Sequence, residues 1–169
     1  GLSDKGSLSV LYLLNKIANN RVDIKITALL IDEGNKNVKE FCKKNNVKLV
    51  VISYEKDIGK SFSVRSILRR SLLNKKAREL KASKLAIGHN LDDEAQSIIM
   101  NQFRHNVALS ARLGPKTSVR KDPKFIPRIK PLYFLTENEV ELYATLKEFK
   151  MDEDKYKKLS YRYKIGTLL

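Results

Sequence analysis

The chain has 169 residues, of which 42% are hydrophobic, so it is long enough for one packed domain and too short for two ordinary ones. Its 34 Lys and Arg residues against 19 Asp and Glu give a net charge of +15. This excess of positive charge favours a polyanionic binding partner and disfavours burial in a membrane. No apolar run approaches the roughly 18 residues that cross a bilayer, and no signal segment opens the chain, so we expect a soluble, cytoplasmic protein without a membrane partner.

The first half of the chain alternates helix and strand patterns. Apolar residues at helical spacing predict a first helix, at Leu8, Leu11, Tyr12, Leu14 and Ile17. A strand over 24–31 follows, then a helix marked by Val38 and Phe41, and then a strand over 47–52. Cys42 falls on the apolar side of that second helix, which indicates a core residue rather than a reactive thiol.

A long basic helix is predicted over 63–80, followed by a buried strand over 84–87 that ends at Gly88. The next helix is predicted because Ala95, Ile98, Ile99, Gln102 and Phe103, four of which are apolar, recur at helical spacing. Residues 113–132 are rich in proline and predict loops, and a last helix over 137–149 places apolar side chains at Val140, Leu142, Tyr143, Leu146 and Phe149. This order predicts an α/β fold, a doubly wound parallel sheet with helices on both faces, over residues 1–150, followed by a basic tail over 151–169.

The segment Ile-Gly-His-Asn-Leu-Asp-Asp-Glu-Ala-Gln at 87–96 carries polar groups where a strand becomes a helix. Ligands of open α/β sheets bind at this position, so Gly88, Asn90, Asp92 and Asp93 are expected to face a binding crevice. The alternative is local: Asn90 caps the helix and the acidic residues complement its dipole.

A second candidate site opens the chain. Ser3, Gly6 and Ser7 form a short turn before the first helix, and such a turn can hold a phosphate with its backbone N–H groups, aided by Lys5. An ordinary exposed turn is the alternative.

The 88–96 segment resembles the signature of the PP-loop ATP pyrophosphatases that thiolate tRNA, the archaeal and bacterial 2-thiouridine synthetases. Other segments resemble the same family in the same order: 1–14, 31–34, 69–80, 111–117 and 126–132. The resemblance spans nearly the whole chain and implies the adenine nucleotide alpha hydrolase-like fold.

The resemblance also implies a reaction. ATP would bind with its phosphates over the first loop and its adenine near 31–34, and the implied ATP-binding residues are Ser3, Lys5, Gly6, Ser7, Ile31, Asp32, Gly88 and Asn90. Mg²⁺ would be held by Asp92 or Asp93. A uridine C2 oxygen would be adenylated, and a sulfur donor would then displace AMP. Arg69 and Asp93 fall on functionally important positions of the family and are the predicted catalytic residues.

Two departures from the family pattern leave a second interpretation open. The first loop is one residue shorter than the family's Ser-Gly-Gly-Lys-Asp-Ser and carries Asp4 in place of the paired glycines. The family's iron-sulfur cluster ligands are cysteines, whereas the matching positions here are Phe62, Arg65 and Leu159. The alternative is therefore a non-catalytic tRNA-binding paralogue that has lost both sites.

Either interpretation makes tRNA the expected partner, and the enzyme also needs a sulfur donor. The basic residues predicted to contact tRNA are Arg70, Arg104, Arg112, Lys116, Arg128 and Lys130. Ordinary solvated faces are the alternative for the lysine-rich stretches. The family often forms dimers, so a homodimer is left open.

Overall fold

The computed structural model describes residues 4–31, 36–53, 62–117 and 124–150. In chain order the elements are α1 (Lys5–Ala18), β1 (Thr27–Ile31), α2 (Lys36–Lys44), β2 (Lys48–Ile52), α3 (Phe62–Glu79), β3 (Leu85–Ala86), α4 (Leu91–Phe103), a 3-10 helix η1 (Val107–Arg112), β4 (Lys116–Thr117), β5 (Arg128–Ile129) and α5 (Glu137–Leu146). Every predicted helix and strand is present. Strand 24–31 is shortened to its second half and strand 84–87 to its centre.

The strands pair mainly in parallel, as the alternation of helices and strands predicts. β1 and β2 are parallel, with Thr27 opposite Lys48 and Ile31 opposite Ile52. The other described strands form a sheet in the order β3-β5-β4, in which β3 and β5 are parallel and β4 is antiparallel to β5. The antiparallel β4 lies within the stretch predicted as loop and short extended segments.

Helix α1 contributes to both hydrophobic clusters of the described core. One side of α1 packs into the cluster formed by Leu8, Leu11, Ala28, Leu30, Val38, Cys42 and Val47. On another side of α1, Val10 packs against Leu132 and against Val140 of α5. Cys42 is only 1% exposed, which confirms its prediction as a core residue.

Helix α4 turns its polar side inward. Its bounds agree with the prediction, but the predicted apolar face is wrong: Ile98 is 40% and Phe103 74% exposed, whereas Glu94, Ser97 and Asn101 are buried. Burial of these three polar side chains costs little free energy because each of them is hydrogen-bonded. The Ser97 hydroxyl donates to the Asp93 carbonyl, at 2.7 Å, within the helix itself.

The other two buried polar groups of α4 bond to the chain that follows the helix. Asn101 Nδ2 donates to Ser110 Oγ of η1, at 3.1 Å. The Glu94 carboxylate accepts from the Gly114 N–H and from Lys130 Nζ, both at 2.7 Å. α4 is therefore fixed to η1 and β5 by directional polar bonds rather than by an apolar stripe.

Helix α5 also departs from its predicted apolar face. Val140 and Ala144 are buried, but Leu142 and Leu146 are largely exposed. The helix ends at Leu146, and Phe149 beyond its end packs its ring against Tyr12, Phe41 and Tyr143. No helix in the described ranges combines the length and the hydropathy that a membrane crossing requires.

Candidate nucleotide and RNA site

The first turn of α1 lies directly against the loop that follows β3. A Cβ added at Gly6 would lie 2.5 Å from the Gly88 carbonyl oxygen, and one added at Gly88 would lie 2.5 Å from the Gly6 carbonyl carbon. The Gly88 Cβ would also come within 2.8 Å of Ser7 Cα. These neighbours are backbone atoms that cannot rotate away, so the approach requires glycine on both sides. Gly6 and Gly88 are 82 positions apart in the sequence, so the structure brings two distant candidate segments into contact.

Asp4 occupies the N-cap of α1. Its backbone is extended, and its carboxylate accepts a hydrogen bond of 2.6 Å from the Ser7 N–H. The first turn of a helix presents backbone N–H groups without helical partners, and these are the groups that bind phosphate at such loops. In this structure one of these groups, the Ser7 N–H, already donates to the Asp4 carboxylate.

Of the other residues predicted to bind ATP, some lie in the described part of the chain and some lie outside it. The Lys5 ammonium lies 3.4 Å from Glu141 of α5, and both groups are exposed. Ile31 is buried at the end of β1. Ser3 and Asp32 lie outside the described residues.

Asn90 and Asp93 form a reciprocal cap at the start of α4. Asn90 Oδ1 accepts from the Asp93 N–H at 2.9 Å, and Asp93 Oδ2 accepts from the Asn90 N–H at 3.2 Å. Asp92 Oδ2 instead accepts from the Glu137 N–H at 2.6 Å, which ties α4 to the start of α5. The local interpretation of Asn90 as a cap is confirmed, and Glu94, predicted with the helix-dipole group, points into the core instead.

These bonds leave the two aspartates able to serve a metal ion. An ionised carboxylate has about four acceptor positions, and each bond takes one of them. Within the described ranges, no group of three or more His, Cys, Asp or Glu side chains is arranged to hold a metal alone. Mg²⁺ in nucleotide sites takes one or two carboxylates and completes its coordination with phosphate oxygens and water, so Asp92 and Asp93 fit that role.

The residues of this chain do not fit an iron-sulfur cluster. Cys42 is its one cysteine, and burial in the first hydrophobic cluster raises the pKa of the thiol to about 11, which disfavours the thiolate. Phe62 and Arg65 begin α3, with their side chains outside the described set, and Leu159 lies outside the described residues. None of these residue types supplies a thiolate.

The predicted RNA-binding residues lie on several elements. Arg104 follows the end of α4 as an exposed residue, and Lys116 is exposed on β4, whereas Arg69, predicted as a catalytic residue, is half-buried on α3. Arg112 ends η1, and its side chain is outside the described set. Arg70 is exposed on α3, and Arg128 is half-buried on β5.

The prediction of Lys130 as an RNA contact is wrong for this structure. Its side chain is 4% exposed and its ammonium is paired with the equally buried Glu94. A buried cation that is already neutralised does not present charge to a polyanion. In the sequence, Glu94, Ser97 and Asn101 recur at helical spacing and mark a polar face of α4, but this spacing identifies neither the inward direction of that face nor the partner of Glu94.

The described architecture is that of an α/β domain with parallel strands and a glycine-dependent loop contact at the start of a helix. The PP-loop domain model matches residues 5–163, so the chain belongs to the PP-loop family. This confirms the family predicted from the sequence, whose fold is the adenine nucleotide alpha hydrolase type.

Relatives that match the chain are named for sulfur transfer or for tRNA thiolation. Over 98% of its own length, the chain is 34% identical to a probable sulfurtransferase of Methanocaldococcus jannaschii. Over the whole of its own length, it is 32% identical to the tRNA 2-thiolation protein NcsA of Haloferax volcanii. It superposes with a TM-score of 0.83 and 30% identity on the U34-tRNA thiolase NcsA of Methanococcus maripaludis, which was solved with its [4Fe-4S] cluster.

The chain spans only part of each of these proteins. It covers 56% and 62% of the two curated relatives, while the superposition covers 98% of this chain and 61% of the solved one.

Proposed function

We propose that this chain is the PP-loop domain of an ATP-dependent tRNA thiolation enzyme, a tRNA 2-sulfurtransferase that makes 2-thiouridine. Tight apposition of α1 and the β3–α4 loop through Gly6 and Gly88 is the observation that carries the proposal. The first loop was predicted as a phosphate site and the segment after β3 as the wall of a binding crevice, and the family resemblance implies that both bind ATP. Their contact supports one site, with backbone N–H groups on one side and carboxylates on the other.

Each side of this site has a defined task. The backbone of Lys5, Gly6 and Ser7 would bind the phosphates of ATP at the positive end of the 14-residue helix α1. Asp93, with Asp92 beside it, would hold Mg²⁺, whose chemistry is to neutralise charge on the phosphates. Ser3, Ile31, Asp32 and Asn90 complete the proposed ATP site.

The proposed reaction has two balanced steps. The uridine C2 oxygen attacks the α-phosphorus of ATP, a P–O bond forms, and pyrophosphate leaves with the electrons of the broken bond. A sulfur nucleophile from a donor then attacks C2 and expels AMP. Arg69 is placed on α3 as a cation that stabilises charge developing on phosphate. No step is assigned to a cluster, because the chain lacks the thiolates to hold one.

The non-catalytic paralogue is the alternative that this proposal must exclude. Its support is the Asp4 carboxylate on the Ser7 N–H, which occupies a donor that phosphate would use. The comparisons do not favour it, since the matched relatives are named for thiolation.

Calorimetric titration of ATP with Mg²⁺ tests the nucleotide site directly. We expect micromolar binding by the parent chain, a large loss in Asp93→Asn, and no change in the exposed control Asp23→Asn. Asparagine keeps an acceptor for the α4 cap while removing the negative charge.

Addition of purified tRNA to the ATP-loaded protein tests the chemistry. Release of pyrophosphate that depends on tRNA supports adenylation. Binding of tRNA without detectable ATP binding would refute the enzyme and leave the RNA-binding paralogue. The proposal also includes a sulfur donor and a homodimer. It includes a cytoplasmic location as well, which is suggested by a Danio rerio relative named cytoplasmic tRNA 2-thiolation protein 1.

A further inference from the structure

Two arginines are brought together where α3 contacts the chain that leads into β5. Asn74 of α3 holds the chain that leads into β5: its Nδ2 donates to the Lys124 carbonyl at 2.7 Å and its Oδ1 accepts from the Ile126 N–H at 2.9 Å. Arg70 lies one turn before Asn74, on the same face of the helix. Arg128 lies two residues after Ile126, so these bonds bring the start of β5 near this part of α3. The positive charge of Arg70 reaches the Arg128 guanidinium and lowers its pKa, so the two side chains are neighbours.

Neither arginine has an acidic partner in the described part of the chain. Arg70 Nε donates to the Ser66 carbonyl of its own helix, at 3.1 Å, and the Arg70 side chain is exposed. Arg128 is half-buried, and its burial together with the positive charge of Arg70 lowers the pKa of its guanidinium. Like charges held together in a partly buried place destabilise the free protein unless an anion joins them.

The cation that directly follows β5 has a different environment. The Lys130 ammonium is neutralised by the Glu94 carboxylate at 2.7 Å. The fold thus supplies a carboxylate to Lys130 and a second cation to Arg128.

A third polar group faces the same place. Thr117 of β4 is directly opposite Arg128 in the antiparallel register, and opposite residues of such a pair share a face of the sheet. The Thr117 Oγ1 is buried and has no hydrogen-bond partner among the described residues. A buried hydroxyl without a partner requires an explanation, and a bound acceptor provides one.

We infer that Arg70, Arg128 and Thr117 form a binding site for a phosphate-type oxyanion. Two planar guanidinium groups can each present paired N–H donors to phosphate oxygens, and the threonine hydroxyl adds a further donor. Exposed Arg70 leaves the site open to solvent, whereas Arg128 and Thr117 form its deeper wall. The anion is either a phosphodiester of bound RNA or a free phosphate, and the RNA source rests on the proposed function.

The test compares Arg70→Gln, Arg128→Gln and their combination with Arg78→Gln. Arg78 is an exposed arginine two turns further along α3 and serves as the matched control. Melting temperature is measured for each protein with and without inorganic phosphate. Affinity for purified tRNA is measured over a range of salt concentrations, and affinity for ATP is measured separately. Thr117→Val, which removes the hydroxyl and keeps the shape, completes the set.

Arg70→Gln is the decisive variant because its side chain is exposed and its loss leaves the core intact. Without ligand it is expected to melt no lower than the parent, since the substitution relieves like-charge repulsion. Inorganic phosphate is expected to raise the melting temperature of the parent and of Arg78→Gln by the same amount, and to raise that of Arg70→Gln and Arg128→Gln by less, because these two variants keep only the phosphate loop of α1. Each of these two is expected to bind tRNA about tenfold more weakly, with the logarithmic salt slope reduced by about one. The combined variant is expected to lose little more, because both arginines hold one anion.

The outcomes separate the two sources. Loss of tRNA affinity identifies an RNA phosphodiester, and a smaller phosphate response with unchanged tRNA affinity identifies a free anion. If Arg70→Gln and Arg128→Gln match Arg78→Gln in both measurements, the site does not exist. ATP binding by the same variants reports on the proposed function independently, because Gly6 and Gly88, not these arginines, define the ATP site.

Discussion

Replacing Gly88 with alanine tests the contact that defines the candidate site. The added methyl would meet backbone atoms only, including the Gly6 carbonyl carbon at 2.5 Å and Ser7 Cα at 2.8 Å. A flexible side chain could rotate away from such a clash, but a backbone must move as a unit. The start of α1 must therefore separate from the β3–α4 loop.

We expect Gly88→Ala to lower the free energy of unfolding by about 1–3 kcal/mol, the usual cost of overpacking a close contact. Separation of the two loops also disrupts a charge-assisted hydrogen bond to phosphate, so ATP affinity is expected to fall at least about tenfold. Urea denaturation measures the first quantity and calorimetric ATP titration the second.

Two further variants make this result specific. Gly6→Ala introduces the same clash from the opposite side, so the double variant is expected to cost much less than the sum of the two single ones. Gly114→Ala is the control, because its φ of +135° strains any side chain but no atom lies within 4 Å of the added Cβ. It should destabilise the fold without changing ATP affinity. Unaltered stability and ATP binding in Gly88→Ala would refute the proposed contact.

Three other perturbations follow from the described contacts. Glu94→Leu leaves Lys130 buried without its partner and is expected to cost about 3–5 kcal/mol in urea unfolding, most of it recovered by adding Lys130→Met; a loss below about 1 kcal/mol would contradict the pairing. Asp4→Asn keeps a cap for the Ser7 N–H but removes a negative charge from the phosphate loop, so ATP affinity measured by calorimetry should rise about fivefold, and unchanged affinity would exclude competition by Asp4. Burial raises the pKa of the Cys42 thiol from 9.0 to about 11, so its contribution to stability is complete below pH 9.0 and is lost as the pH rises to about 11. Urea unfolding across this window should therefore show a steeper loss for the parent than for Cys42→Ala, and equal slopes would argue against a buried thiol.

Features encoded by local signals were predictable from the sequence. The bounds of α1 and α3 follow from apolar and basic periodicity, and Gly88 marks the end of β3 because a glycine interrupts an apolar run. The alternation of these elements was sufficient to predict an α/β fold with parallel strands. The family resemblance rested on the same short segments.

Features set by distant partners were not predictable. Apolar periodicity in α4 suggested that Ile98 and Phe103 face the core, but the inward side is fixed by Glu94, whose partner Lys130 is 36 positions away. Lysine is rarely buried, so its type alone suggested solvent. The proximity of Arg70 and Arg128 likewise depends on the bonds of Asn74 to a segment 50 and 52 positions away.

The place of α1 in the core bears on how the whole domain unfolds. Leu8 and Leu11 belong to one hydrophobic cluster and Val10 to the other, so neither cluster can lose this helix without exposing part of its neighbour. The β1–β2 pair and the β3-β5-β4 sheet share no hydrogen-bonded strand among the described residues, yet they depend on one helix for burial. Their free energies of unfolding are consequently not separable, and cooperativity between two strand groups resides in the same helix whose first turn forms the candidate phosphate loop.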